Sequence, residues 1–325
     1  MRKISFAQAT VEALEEEMIR DERVFVLGED VSSQGGYFGQ YKGLSEKFGY
    51  ERVKDTPISE TAIVGAAIGA AIVGMRPIVE LNFADFMGIC MDEIFNQMAK
   101  IRYMFGGQAK VPLVLRAPNG ITSQAATHHS QSLEAWFLHI PGLKVVIPSN
   151  PADAKGLLKS AIRDENPVIF FENKNLFRLI GEVPNEEFLI PIGKAKVVRK
   201  GVDVTIVTYS SMLHKSLQAA EILAKEGINT EIIDLRTILP YDKETILKSV
   251  KSTHRLVIVH EAVKIGGVGA EIAAMVAEEA FDYLNAPILR IGAPFTPIPF
   301  SPPLEKIYTI NAETISDSIR RDMFR

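Results

Sequence analysis

Cysteine is almost missing from this chain: Cys90 stands alone among 325 residues. That excludes an intrachain disulfide framework and any Cys-rich zinc or iron–sulfur site, and it suits a reducing compartment. An excess of one charge sign is missing too. With 36 Lys and Arg against 40 Asp and Glu, the formal net charge is −4, which leaves no electrostatic footprint for nucleic acid or an anionic membrane surface. No charge-free apolar run reaches the length of a membrane span. The start, Met1-Arg-Lys-Ile-Ser-Phe, leads into the charged Glu15-Glu-Glu-Met-Ile-Arg without an apolar signal core, so the expected location is the cytoplasm, or an organelle interior for a mature chain. Also missing are G-x-x-x-x-G-K-[ST], H-E-x-x-H, G-x-S-x-G and, after the first apolar run, G-x-G-x-x-G. The chain is therefore not an ordinary nucleotide enzyme.

What is present is 47% hydrophobic residue content in a length that favours two domains. Phe6, Ala9, Ala13, Leu14 and Ile19 recur at helical spacing, and the apolar run Val24-Phe-Val-Leu, stopped by Gly28, follows. The exchange then repeats. Helices are predicted over 60–75, 91–103, 131–139 and 151–163, and strands over 77–81, 111–115, 144–147 and 168–171. Between 179 and 192 the pattern lapses into a polar, proline-punctuated stretch suited to a domain boundary. A second alternation follows, with strands over 204–208, 230–234 and 255–259 and helices over 214–226, 242–251 and 269–280. Such alternation implies an α/β fold with two parallel-sheet domains. The tail carries Pro287, Pro294, Pro297, Pro299, Pro302 and Pro303, and is expected to run as extended loop before a last short helix from Ala312.

Two polar clusters interrupt this frame. In Asp55-Thr-Pro-Ile-Ser-Glu60, Ser59 is a candidate N-cap and Glu60 lies in the first helical turn. A first-turn glutamate commonly just offsets the helix dipole at the surface; between apolar Ile58 and an apolar helix it would instead be desolvated, with a raised pKa useful for sharing a proton. The helix that follows contains Gly65, Gly69 and Gly74, each costing about 1 kcal/mol relative to alanine. Either tight internal packing or the close approach of a subunit or cofactor would explain them. The second cluster is Thr127-His128-His129-Ser130-Gln131-Ser132. Adjacent histidines there suit acid–base work; zinc is not expected, since no third ligand stands at metal spacing. Ser130 as a helix cap beside an exposed His128 is the structural alternative. His214, His254 and His260 read as structural.

These residues carry a resemblance over nearly the whole chain. Leu27-Gly-Glu-Asp, Asp55-Thr-Pro-Ile-Ser-Glu, Gly74-Met-Arg-Pro, Tyr103-Met-Phe-Gly-Gly, His129-Ser-Gln, Ile140-Pro-Gly-Leu-Lys-Val-Val, Asp153-Ala-Lys-Gly-Leu, Ile162-Arg-Asp-Glu-Asn-Pro and Asp234-Leu-Arg-Thr resemble the beta subunit of the thiamine-diphosphate-dependent decarboxylating component of 2-oxo acid dehydrogenase complexes. The resemblance implies a transketolase-like pyrimidine-binding domain over 1–180, a linker over 181–192 and a transketolase-like C-terminal domain over 193–325. It implies that Glu60 hydrogen-bonds a pyrimidine ring nitrogen of thiamine diphosphate, that Ile58, Asn82 and Phe86 wall the aminopyrimidine, and that His129 sits near the substrate or the incoming lipoyl group. It further implies a structural potassium ion ringed by oxygens of Leu113, Ala161, Ile162, Asp164 and Asn166, an all-oxygen set suited to a hard cation; an exposed turn at a helix C-terminus is the alternative.

Thiamine enzymes of this kind hold the diphosphate through magnesium bound by a Gly-Asp-Gly motif, and none occurs here. The resemblance therefore implies half an active site, completed by an alpha subunit in an assembly of two alpha and two beta chains and served by a dihydrolipoyl acyltransferase core with its lipoyl domain. Phe83-Ala-Asp-Phe, Tyr103-Met-Phe-Gly-Gly and Ala293-Pro-Phe-Thr-Pro-Ile-Pro-Phe-Ser are most similar to acetoin-cleaving members, although the 32–41 loop is shorter than theirs. Pyruvate is the companion expectation, a branched-chain 2-oxo acid the alternative, and a catalytically silent scaffold the rival from another class.

Overall fold

The computed structural model describes residues 1–122 and 124–324. They form two compact units, one made of Met1–Asn119 and Trp136–Ile192, the other of Gly120–Ala135 and Gly193–Arg325.

In the first unit, five strands run parallel to their neighbours around Val114–Asn119. That strand lies between Arg76–Glu80 and Val168–Asn173; Val24–Gly28 and then Val53–Asp55 extend the sheet on one side, Lys144–Val146 on the other. Strands buried along almost their whole length read as continuous apolar runs rather than alternating ones, as expected when both faces of a parallel sheet are covered. Helix Phe6–Arg20 begins at Ser5, whose hydroxyl accepts the Gln8 N–H at 3.1 Å, and buries Phe6, Ala9, Ala13, Leu14 and Met18. It packs against Pro151–Arg163, capped by Asn150 and started by proline, whose missing N–H is lost without penalty at the first helical position. Along this seam the buried Lys155 and Lys159 ammonium groups both reach the Glu16 carboxylate at 2.6 Å, so their charges are paired where burial would otherwise be prohibitive. Each apolar side chain sealed in the seam contributes roughly 1.5–3 kcal/mol.

The second unit is a five-stranded sheet ordered Leu289–Ala293, Leu256–Val263, Val204–Thr208, Thr230–Asp234, Lys196–Arg199. All pairings are parallel except the last, an antiparallel edge. Helices Ser211–Ala224 and Ala312–Met323 pack together over Ile206, Ile232 and Val257, burying Leu213, Ala220, Ile315 and Ile319.

Several local expectations are corrected. The helix predicted over 91–103 is a π-helical turn, Glu93–Met98, followed by the short helix Ile101–Met104. The helix predicted over 131–139 shrinks to Glu134–Leu138. The stretch 179–192 contains a strand, Ile180–Val183, which pairs antiparallel with Arg2–Ser5. In the tail, Pro302 and Pro303 open a helix to Tyr308 instead of preventing one, because first-turn N–H groups have no intrahelical partner to lose.

Candidate active site

Parallel sheets bind ligands beyond the carboxyl ends of their strands, and the first unit gathers polar groups there. Gly28 ends one strand; a Cβ on it would lie 2.7 Å from the Glu80 carbonyl oxygen, so only glycine lets the two strand ends close up. The Thr56 N–H donates to the Gly28 carbonyl at 3.1 Å. The Asp55 carboxylate accepts the N–H groups of Ser32 and Ser33 at 2.7 and 2.9 Å, tying down the loop that follows Glu29.

Glu60 is the first residue of helix Glu60–Ile72 and only 6% exposed. Glu29 is near enough that the Glu60 charge helps raise its pKa; burial is the larger cause and the Asp30 charge a smaller one, with the Asn82 hydrogen bond opposing them. That bond runs from Asn82 Nδ2 to Glu29 Oε2 at 3.1 Å, while Asn82 Oδ1 is buried with no partner among the described residues. Thr56 Oγ1 is orphaned in the same way. The Phe86 ring meets Phe83 edge-on, centroids 5.6 Å apart. Ile58, two positions before Glu60 in the chain, is 82% exposed, an isoleucine held on this unit's surface. Thus Glu60, Asn82 and Phe86 all follow strand ends of one sheet, each on a different connection from Glu29. Ser59 precedes the helix but does not cap it through its side chain; its hydroxyl turns back to the Pro57 carbonyl. Glu29 carries part of the resemblance within Leu27-Gly-Glu-Asp but receives no role there, although its position directly after an apolar run ended by glycine is the signal that marks it.

Behind these groups lies a buried charge network. Arg116 makes two bonds to Glu172, at 2.9 and 2.8 Å, and stands over the Tyr41 ring. Tyr41 and Gln40 both donate to Glu80, and burial drives the Glu80 pKa up to about 8.

His129 belongs to the second unit. It ends a 3-10 turn, Thr127–His129, and is half-buried, whereas His128 is exposed. Ser130 caps nothing: its hydroxyl is buried without a partner among the described residues, and the following helix starts only at Glu134.

Of the residues expected around potassium, Ala161 and Ile162 lie in the last turn of helix Pro151–Arg163, Asp164 and Asn166 follow it, and Leu113 immediately precedes strand Val114–Asn119. The Leu113 carbonyl accepts the Val168 N–H at 2.9 Å, and that of Ala161 the Asp164 N–H at 3.2 Å. Arg76 Nη1 donates to the carbonyls of Ile162 and Asp164 at 3.3 and 3.2 Å. The Asp164 carboxylate is held by Lys144 and by Asn166, whose own Oδ1 accepts from Arg102. The donor set suits a hard cation and each carbonyl retains a second lone pair, but such an ion would share two carbonyls with the Arg76 guanidinium. Among the described residues no group of three or more His, Cys, Asp or Glu side chains could hold a metal ion.

Comparison with known proteins decides the lineage. Residues 2–179 match the transketolase pyrimidine-binding domain and residues 193–315 the transketolase C-terminal domain. The chain is 53% identical to the acetoin:2,6-dichlorophenolindophenol oxidoreductase subunit beta of Cupriavidus necator, covering 99% of this chain and 98% of the relative. It is 48% identical to the 2-oxoisovalerate dehydrogenase subunit beta of Bacillus subtilis, over 98% of both. It is 47% identical to the pyruvate dehydrogenase E1 component subunit beta of Gracilaria tenuistipitata, over 98% of this chain and 99% of the relative. The chain belongs to the E1 beta-subunit family of the 2-oxo acid and acetoin dehydrogenases. A solved structure described as a split-gene transketolase, an inactive beta4 tetramer, shares the fold of this E1 beta chain with a TM-score of 0.81 at 24% identity, covering 98% of each chain. No helix among the described residues is long and apolar enough to cross a membrane.

Proposed function

We propose that this E1 beta chain is the oxidoreductase half-site of a thiamine-diphosphate-dependent enzyme that cleaves pyruvate or acetoin and reductively acylates the lipoyl group of a dihydrolipoyl acyltransferase. The observation that carries it is Glu60, a carboxyl buried at a helix start near Glu29, which Asn82 bonds, with the Asn82 amide oxygen lacking any partner among the described residues. Unpaired buried acceptors call for a donor from outside the chain, and an aminopyrimidine has such donors. Bound thiamine diphosphate would supply a nucleophilic carbon and an electron sink for breaking the bond beside the substrate carbonyl. Glu60 would hold the proton at the pyrimidine ring nitrogen through a charge-assisted hydrogen bond of roughly 1.5–3 kcal/mol. Phe86, Ile58 and Asn82 would fix the ring's plane and keep water from it. His129 would serve the substrate or lipoyl side.

With no Gly-Asp-Gly motif in the chain, magnesium and the diphosphate fall to an alpha subunit, and we assign two alpha and two beta chains to the assembly. The helix Glu60–Ile72 supports a partner: Gly69 has nothing within 4 Å of a Cβ built on it, so that glycine is not explained by packing within the described residues, whereas Gly74, expected inside the helix, lies beyond its end at φ 100°, a turn conformation that favours glycine. A structural potassium ion at Leu113, Ala161, Ile162, Asp164 and Asn166 completes the reading. Acetoin is favoured by the 53% identity to an acetoin-enzyme beta subunit; the 48% identity to a 2-oxoisovalerate dehydrogenase beta subunit keeps a branched-chain 2-oxo acid as the second reading.

The test is to purify the tagged chain with whatever co-purifies and measure reduction of an artificial electron acceptor with pyruvate, acetoin and a branched 2-oxo acid, with and without thiamine diphosphate and magnesium. Cofactor-dependent turnover confined to preparations that contain the partner is expected. Turnover by the chain alone, or none with a stoichiometric partner and bound cofactor, would overturn the assignment.

A further inference from the structure

We infer that Glu261, Tyr209 and Thr127 are positioning residues for His129, so that the second unit sets the histidine's placement as well as its own fold. The inference rests on the reading of His129 as a substrate-side residue. The chain segment that bears the histidine is pinned at its start, middle and end. At its start, the Ile121 N–H donates to Glu261 Oε1 at 2.5 Å, and the other oxygen of that carboxylate accepts from Ser211 Oγ at 2.6 Å. In the middle, Thr127 Oγ1 donates to the Ile298 carbonyl at 2.9 Å. At its end, the buried Tyr209 hydroxyl donates to Glu134 Oε1 at 2.8 Å. Burial, reinforced by the Glu134 charge, holds the Tyr209 phenol well above its ordinary pKa, so it stays a donor.

Two backbone outliers show that these anchors work against strain. Ala126, directly before the turn, has φ 58° and ψ −158°, and Ser210, between the anchors Tyr209 and Ser211, has φ 58° and ψ −141°. Both lie in or beside a region that only glycine enters freely, where a side-chain-bearing residue persists only when its surroundings over-determine it. Packing does not do this alone. A cavity of about 100 Å³ lined by Thr127, Ser130, Gln131, Glu261 and Tyr308 lies against the segment, so hydrogen bonds carry part of the constraint. Displacement of a catalytic group by about 1 Å is enough to cost orders of magnitude in rate.

The experiment is a double-mutant cycle in the assembled enzyme: Glu261→Ala, Glu261→Gln and His129→Ala, with Glu261→Ala also made in the His129→Ala background. Glu261→Ala is expected to lower kcat about tenfold with KM nearly unchanged, and Glu261→Gln to stay within about twofold, since its amide oxygen still accepts the Ile121 N–H. In the His129→Ala background the further loss is expected to be under about twofold, because positioning a missing side chain does nothing. An equal loss in both backgrounds, or no loss in the parent, overturns the inference. If His129→Ala keeps full turnover, the reading of His129 falls and this inference with it; if His129→Ala is slow while Glu261→Ala is not, only the inference falls. Thermal midpoint and partner stoichiometry are measured for each variant. Should Glu261→Ala fail to assemble, Thr127→Val, which removes only the bond to Ile298, takes its place in the cycle.

Discussion

At the scale of single residues, the environment of a carboxylate decides its use. Glu60 and Glu29 are carboxyls on different connections of one sheet, close enough that the Glu60 charge helps raise the Glu29 pKa, with Asn82 bonded to Glu29. Replacing Glu60 by glutamine keeps the volume and the helix start but removes the group that can exchange a proton. Glu60→Gln is therefore expected to assemble normally and to lose about 10²- to 10⁴-fold in kcat, the range typical of a positioned acid–base group. Steady-state kinetics on the purified complex checks this, and turnover within a factor of about two of the parent would remove Glu60 from its role. Cys90, by contrast, is buried with its thiol pushed up to about 12 by burial and the nearby Glu93 and Glu60 charges, so it stays protonated and inert.

At the scale of elements, the helix Glu60–Ile72 presents two different faces. Ile63, Val64, Ala67, Ile68 and Ala71 are buried against the sheet, while Thr61, Ala62, Ala66 and Gly69 lie exposed on the other side. A glycine inside a helix costs about 1 kcal/mol, and at Gly69 no neighbour among the described residues needs the missing side chain. Gly69→Leu is accordingly expected to leave the isolated chain as stable as before, or up to about 1 kcal/mol more stable, and to abolish assembly, because small residues are what allow two backbones to approach closely. Thermal unfolding and co-purification read the two halves of that statement. A stable Gly69→Leu chain that still binds its partner stoichiometrically would show that this face is not the interface.

At the scale of the whole molecule, stability is linked to pH through the buried network of Glu80, Tyr41, Gln40, Arg116 and Glu172. Burial raises Glu80 from an ordinary 4.5 to about 8, with Arg116 pulling the other way. Between those values the folded chain holds a proton that the unfolded chain has released, so this group's contribution is full below about pH 4.5 and is lost as pH rises towards 8. Glu80→Gln cannot titrate. Its urea midpoint, followed from about pH 5 to 8, is expected to fall less than that of the parent; parallel curves for the two proteins would refute the linkage.

The class of fold was legible in local patterning. Continuous apolar runs such as Val24–Gly28 and Val204–Thr208 alternate with helical periodicity in Phe6–Arg20 and Pro151–Arg163, and local patterning is enough to specify such elements. The sequence also marked Glu60 and the histidine pair, because unusual polar residues stand out against that pattern. Elements whose signal is not periodic were lost: the π-helical turn Glu93–Met98, the helix opened by Pro302, and the antiparallel strand Ile180–Val183, which exists only because Arg2–Ser5 lies beside it. The tertiary structure alone decided which distant residues share an environment. Glu29 beside Glu60, Arg116 on Glu172 and Glu261 on Ile121 are neighbours in space across 31, 56 and 140 positions of chain, and no local preference encodes a pairing that only the assembled sheets and their connections bring about.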